Sequence, residues 1–279
     1  MEAERSKPQL EVTGLCKRYP SFSLKDVSFS VMPGTIVGFI GRNGAGKTTT
    51  LKCLMGSVHP DSGMLKAFGQ PFDGNEAAIK QIAGFALGGA LYYATKTLAT
   101  ITAVTKRFYE LWDDASYLHY LNLFGLDERK RIKDLSQGMR VKYALALALS
   151  HGSKLLVLDE PTSGLDPASR DEVLDTFLDL VADGRTSILF STHITSDLDK
   201  CADSIVHIRN GAIIDAAPLR EYREKYRVVP FDSAVASGML ILGKRRTASG
   251  DTALVSAGEC PDGHRADLEE IMTHMDKGV

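Results

Sequence analysis

The chain has 279 residues, of which 44% are hydrophobic, 24% charged and 8% aromatic; disordered and fibrous classes are excluded, and the length suits about two domains. Lys+Arg 33 against Asp+Glu 35 leaves a net charge of -2, without the basic excess of a protein that grips phosphate backbones, so no nucleic-acid partner is expected. Cys16, Cys53, Cys201 and Cys260 are far apart and form no CxxC pair, which suits free thiols in a reducing compartment rather than a zinc site or a disulfide scaffold.

The first residues, MEAERSKPQLEV, carry no apolar stretch of the signal-peptide kind, and no apolar run approaches the ~18 residues of a membrane span. A cytoplasmic chain is expected. Residues 9–40 alternate as strands in QLEVTGLCKRY, SLKDVSFSV and TIVGFIG, with Ile36–Ile40 apolar enough to be buried on both faces. A glycine-rich loop follows, then a helix in KTTTLKCLMG that ends at Gly56. A turn at His59–Gly63 and a strand pair lead into a strand over Ile82–Leu87.

From about 90 to 150 the spacing becomes helical, with Leu98, Ile101, Thr105 and Phe108 on one face and Tyr117, Leu118, Leu121 and Phe124 on another. Strands return at Lys154–Leu158 and Ser187–Phe190 around a helix near 168–182, the βαβ pattern of a parallel sheet. A turn at Asn210-Gly211 closes that unit. The remainder reads as a strand in YRVVPF, a hairpin around Ala248–Asp251 and a helix in RADLEEIMTHMDK. In that helix Leu268, Ile271, Met272 and Met275 form an apolar stripe of a kind that more often packs on its own domain than on a partner, a dimer or membrane-subunit contact being the alternative, and Lys244-Arg245-Arg246 reads as a solvated hairpin face.

Residues 41–48, Gly41-Arg42-Asn43-Gly44-Ala45-Gly46-Lys47-Thr48, match GxxxxGK[ST] between an apolar strand and a helix. Backbone N–H groups can cradle β- and γ-phosphates only where side chains are absent, which Gly44 and Gly46 allow. Lys47 adds a charge for the phosphate oxygens, and Thr48 a hydroxyl for Mg²⁺. Downstream, Leu155–Leu158 runs into Asp159-Glu160, so a buried strand presents two acids at the sheet edge where α/β folds bind ligands. Asp159 suits the metal and Glu160 a general base; His193, after the strand Ser187–Phe190, reads by itself either as a structural hydrogen-bonding residue or as a contact to a γ-phosphate.

Leu135-Ser136-Gln137-Gly138-Met139 resembles the LSGGQ signature of ATP-binding cassette (ABC) ATPases, and the stretch through LLVLDEPTSGLDP is similar to that family throughout. The resemblance covers about residues 10–215. It implies an α/β P-loop NTPase fold of the ABC type, with a mostly parallel sheet core, an antiparallel β subdomain, a helical subdomain at about 90–150 and a small C-terminal α+β extension. The domains are then 1–215, the nucleotide-binding domain, and 216–279, an extension whose role the sequence leaves open.

The resemblance further implies that Tyr19 stacks on adenine, and that Gly41, Asn43, Gly44, Ala45, Gly46, Lys47, Thr48 and Thr49 hold the phosphates of ATP with Mg²⁺ on Thr48 and Asp159. Lys47, Glu160 and His193 are the catalytic set, with His193 the switch histidine. By the same resemblance Ser136 and Gly138 are expected to bind the γ-phosphate held by a partner subunit, and Asp166 to make a dimer contact. The active form is then a head-to-tail dimer with itself or a homologous ABC subunit, powering a separate transmembrane permease from the inner face of the plasma membrane.

One motif departs from the family. Where a glutamine is usual, after the strand ending at Leu87, stands Gly88 or Gly89, and Gln81 lies before the strand. A glycine there offers no side chain for the usual Mg²⁺ contact and coupling, so hydrolysis by the isolated subunit is expected to be slow and to depend on the partner. This departure and the Gln-Gly-Met signature are similar to a bacterial branch that exports antimicrobial or amphipathic peptides, the bacitracin and phenol-soluble-modulin types. The alternative is a soluble ABC ATPase acting on ribosomes or DNA. A single cassette, near-neutral charge and the lack of sustained heptads argue against it.

Overall fold

The structure is a computed structural model that describes residues 7–87 and 93–277. The chain opens with a hairpin of β1 (Leu10–Tyr19) and β2 (Phe22–Val31), then β3 (Ile36–Ile40), α1 (Lys47–Leu54), β4 (Ser62–Ala67), β5 (Gln70–Pro71), α2 (Glu76–Ile82) and β6 (Ala83–Leu87). An antiparallel sheet in the order β2-β1-β4-β5 buries one face, as alternation of Leu10, Val12, Val27, Phe29 and Val31 requires. The α2 helix was not expected. It takes Ile82, so the following strand begins at Ala83.

The helical region holds α3 (Leu98–Thr105), α4 (Asp114–Leu123) and α5 (Gln137–Leu149). Leu98, Ile101, Tyr117, Leu121 and Phe124 are buried as the spacing predicts, but Phe108 and Leu118 are 70% and 52% exposed. Phe108 leaves the expected face because α3 stops at Thr105 and a tight 3₁₀ turn over Lys106–Phe108 rotates it outward. The buried face instead takes Thr102, whose hydroxyl lies 2.7 Å from Tyr117 Oη and 2.9 Å from Tyr143 Oη. Those contacts supply the partners that a buried hydroxyl needs.

Next come β7 (Leu155–Asp159), α6 (Pro167–Ala182), β8 (Ser187–Ser191), α7 (Thr195–Cys201), β9 (Ser204–Arg209) and β10 (Ala212–Pro218). The central sheet runs β10-β9-β3-β8-β7-β6, parallel except for β10 at its edge. Every residue of β3, β7 and β8 is buried, matching their unbroken apolar runs between two covered faces. The order places β8 between β3 and β7, so three loops at the strands' C-terminal ends become neighbours. The β9–β10 hairpin turns on Asn210-Gly211, both with positive φ, as a two-residue primed turn demands.

The extension comprises α8 (Leu219–Glu224), β11 (Tyr226–Pro230), α9 (Phe231–Ala236), β12 (Gly243–Thr247), β13 (Gly250–Ser256), β14 (His264–Arg265) and α10 (Leu268–Lys277). Its antiparallel sheet has the order β12-β13-β11-β14. The expected boundary at 215/216 falls inside β10, which pairs with β9 from Ala212 to Pro218. Leu268, Ile271, Met272 and Met275 of α10 are all buried in one continuous core with Leu198, Cys201 and Ile205 of the central domain. Each such side chain contributes roughly 1.5–3 kcal/mol, which makes this a firm junction. In the basic run Arg246 is exposed as expected, whereas Lys244 and Arg245 are half-buried, and Lys244 pairs with Asp251 at 2.7 Å and lies 3.8 Å from the Phe231 ring centroid.

Candidate functional site

The loop between β3 and α1 holds the phosphate motif. Gly46 precedes the helix at φ 120, and nothing lies within 4 Å of where a Cβ on Gly44 would stand. The backbone is thus bare toward solvent. Lys47 is 5% exposed, and its Nζ donates to the carbonyls of Gly41 at 2.5 Å and Arg42 at 3.3 Å, which fixes the cation inside the loop. Thr49 is half-buried in the first turn of α1, while Asn43 is exposed at the loop's tip and Ala45 is buried beneath it.

The loop after β7 meets this one through hydrogen bonds. Thr48 Oγ1 donates to Asp159 Oδ2 at 3.0 Å, and Ser191 Oγ, from the end of β8, donates to Asp159 Oδ1 at 2.5 Å. Glu160 takes a left-handed conformation, φ 52, that few non-glycine residues adopt. Its N–H donates to both the carbonyl and the hydroxyl of Ser191, each at 3.1 Å. His193 Nδ1 lies 2.8 Å from Glu160 Oε2. Lys47, Thr48, Asp159, Glu160 and His193 therefore share one rim.

Beside that rim a cleft of about 600 Å³ opens between Arg42, Asn43 and His193 on one side and Glu269 and Thr273 of α10 on the other. The extension thus contributes to the surroundings of the phosphate loop, which its sequence did not signal. Tyr19, 39% exposed, ends β1 opposite Phe22 in the hairpin, and Phe22 packs against Gly46. The structure thus brings Tyr19 to the turn bordering the loop.

Three expected site residues are not part of that rim. Ser136 is exposed at the start of α5, where its hydroxyl accepts from Met139 N at 3.2 Å as an N-cap. A Cβ on Gly138 would stand 2.7 Å from Leu165 Cδ2, so the signature stretch and the loop before α6 touch within one chain. Asp166 caps α6 through Ser169 N at 3.0 Å, and that backbone N–H holds its carboxyl below the usual carboxylate range. Gly88 and Gly89 lie outside the described residues. Gln81 is spent on local structure, donating to Phe108 O at 2.7 Å and accepting from Glu110 N at 3.0 Å.

Sequence reading missed Ser191 and the pair of Thr162 and Asp197. Thr162 Oγ1 donates to Asp197 Oδ2 at 2.6 Å, both residues being buried, and ties the loop after Glu160 to the helix after His193. The available signal was a polar residue at the end of an apolar strand, Ser-Ile-Leu-Phe-Ser.

A family model described as ABC transporter matches residues 24–163. The bacitracin transport ATP-binding protein BcrA of Bacillus licheniformis is 31% identical over 221 residues, 78% of this chain and 72% of that protein. The ABC transporter ATP-binding protein YtrB of Bacillus subtilis is 31% identical over 207 residues, 73% and 69% of the two chains. Among solved structures, an ATP-binding subunit of an ABC transporter superposes with a TM-score of 0.69 at 30% identity, covering 77% of this chain and 92% of that one. A dimeric cassette in a post-hydrolysis state with ADP and phosphate shares the fold, with a TM-score of 0.67 at 19% identity over 76% of this chain and 99% of that one.

Proposed function

The chain belongs to the ABC transporter ATP-binding family and is an ABC ATPase, and from that premise we propose that it drives an exporter of peptides or other amphipathic compounds as a head-to-tail dimer. One observation carries the catalytic reading: the strand order β3-β8-β7 joins the phosphate loop, the Thr48–Asp159 bond and the Glu160–His193 pair at one edge. The bare backbone of the loop and Lys47 bind the β- and γ-phosphates. Glu160 orients the attacking water and takes its proton, while His193 holds the Glu160 carboxylate in place and contacts the γ-phosphate.

The donor set fits Mg²⁺. Thr48 and Asp159 offer oxygen atoms to a hard cation, and no cluster of three or more His, Cys, Asp or Glu exists among the described residues. That suits an ion held by one hydroxyl, one carboxylate and the nucleotide's own phosphates. When bound, Mg²⁺ neutralises charge on the β- and γ-oxygens.

Within the chain Ser136 caps α5 and Gly138 packs against Leu165, and neither has a described bond to the phosphate loop, which supports a composite site completed by a second subunit. Exposed apolar residues gather on the helical region, with Val104, Phe108, Leu111 and Leu118 each more than half exposed, and these support a contact with a separate permease. No described helix is long and apolar enough to cross a membrane. The export direction and amphipathic cargo rest on the similarity to the bacitracin transport protein.

Glu160→Gln keeps the shape of the side chain and removes the base. Hydrolysis should fall roughly 10²- to 10⁴-fold while ATP binding persists, and ATP should shift the variant to a dimer in light scattering. Phosphate release at the wild-type rate would overturn the catalytic assignment, and a monomer at saturating ATP would overturn the dimer. Purification from detergent-solubilised membranes should recover a multi-spanning subunit at near-equal amount. Recovery with ribosomes or DNA and no membrane protein would overturn the transporter reading.

A further inference from the structure

Ser191 closes β8 as a fully buried hydroxyl in a strand whose preceding three residues are Ile188, Leu189 and Phe190. The parallel ladder sets it opposite Asp159 on one side and Phe39 on the other. A hydroxyl has one proton to give. Ser191 gives it to Asp159 Oδ1 at 2.5 Å, and a lone pair on the same oxygen accepts the Glu160 N–H at 3.1 Å. Asp159 Oδ2 accepts a hydrogen bond from Thr48 Oγ1 at 3.0 Å, so both carboxylate oxygens are held by hydroxyls.

The second contact matters because Glu160 sits at φ 52. A non-glycine residue in that region is strained and holds only where its surroundings over-determine it. The shared N–H, bonded to the carbonyl and the hydroxyl of Ser191, supplies that hold.

We propose that Ser191 is a positioning residue for ATP hydrolysis: one oxygen sets the plane of the Asp159 carboxylate and anchors the backbone of Glu160, so the two acids move as a unit. This rests on the roles given above to Asp159 and Glu160. An alanine would leave a buried carboxylate oxygen without its donor and free the carboxylate to turn. Ser191 reaches the phosphate loop only through Asp159 and Thr48, so binding of the phosphates by the loop backbone and Lys47 should change little.

The test compares wild type, Ser191→Ala and the hydroxyl-retaining Ser191→Thr, with thermal melting to register fold. Ser191→Ala should lower kcat roughly ten- to a hundredfold and raise the Mg²⁺ concentration for half-maximal activity by a similar factor. Binding of a fluorescent ATP analogue in EDTA should stay near wild type, while the gain in that analogue's affinity on adding Mg²⁺ should shrink. Ser191→Thr should recover most of both losses. Wild-type kcat and wild-type Mg²⁺ dependence in Ser191→Ala would overturn the inference. So would equal loss of EDTA binding and melting temperature in both variants, which marks a purely structural role. A wild type that binds the analogue with Mg²⁺ but never releases phosphate would overturn the proposed catalysis instead. The Mg²⁺ gain in binding then still decides the part played by Ser191.

Discussion

At Gly46 the backbone has φ 120, and a Cβ there would stand 2.7 Å from Leu24 Cδ2 and 3.0 Å from both Phe22 Cζ and Ile208 Cδ1. Space and conformation exclude a side chain independently, because the loop is pressed between the antiparallel sheet and β9. Gly46→Ala should therefore distort the loop rather than merely crowd it, weakening nucleotide binding about tenfold or more and lowering the melting temperature by several degrees. Fluorescent-nucleotide titration and thermal melting check this, and wild-type affinity would mean that the loop yields freely. At Lys47 the loop's own carbonyls accept from the buried cation and help to offset its burial.

The helix α5 begins on a serine with two duties. Within the chain Ser136 caps α5 through Met139 N, and the proposed dimer gives the same hydroxyl a partner's γ-phosphate. The duties separate by substitution. Ser136→Ala should lower the stability of the isolated chain by about 1 kcal/mol, read as a shift in urea midpoint. Ser136→Asp keeps a capping oxygen and suits the helix's positive end, so stability should hold. Its negative charge should nevertheless abolish ATP-dependent association in light scattering. Association of Ser136→Asp like that of wild type would remove Ser136 from the composite site. A similar element-scale logic applies to α6, where Asp166 is the N-cap and retains its charge through the Ser169 amide.

Across the whole molecule, the extension and the central sheet meet at His207 of β9, whose Nδ1 lies 2.6 Å from Tyr222 Oη of α8. Burial first, then the charges of Arg209 and Lys47, push the His207 pKa down to about 4, with Asp215 opposing. The unfolded chain, with its histidine near the ordinary value of 6.5, then binds the proton more tightly than the folded one. Stability from neutral His207 is complete above pH 6.5 and is lost as pH falls toward 4, by an amount on the order of 3 kcal/mol. His151, also depressed by burial, acts in the same direction. Urea midpoints should fall between pH 6.5 and 4, and His207→Gln should flatten that slope. An unchanged slope in His207→Gln would assign the acid limit to other groups. Because α10 also borders the cleft beside the phosphate loop, loosening this junction reaches the neighbourhood of the site.

The sequence by itself determined the parts whose physics is local. GRNGAGKT and the acids after Leu155–Leu158 each need only a strand and a loop in the immediate chain, and each lies where its spacing predicts. The stripe of Leu268, Ile271, Met272 and Met275 was legible for the same reason, since its period shows that one face must be buried. Tertiary structure decided what depends on distant neighbours. The order β3-β8-β7 set Ser191 against Asp159, the turn after Thr105 exposed Phe108, and α10 came to border a phosphate loop remote from it in sequence. Periodicity shows that a face is buried but not against what. A hydroxyl at a strand's end has no meaning until the adjoining strand supplies its partner.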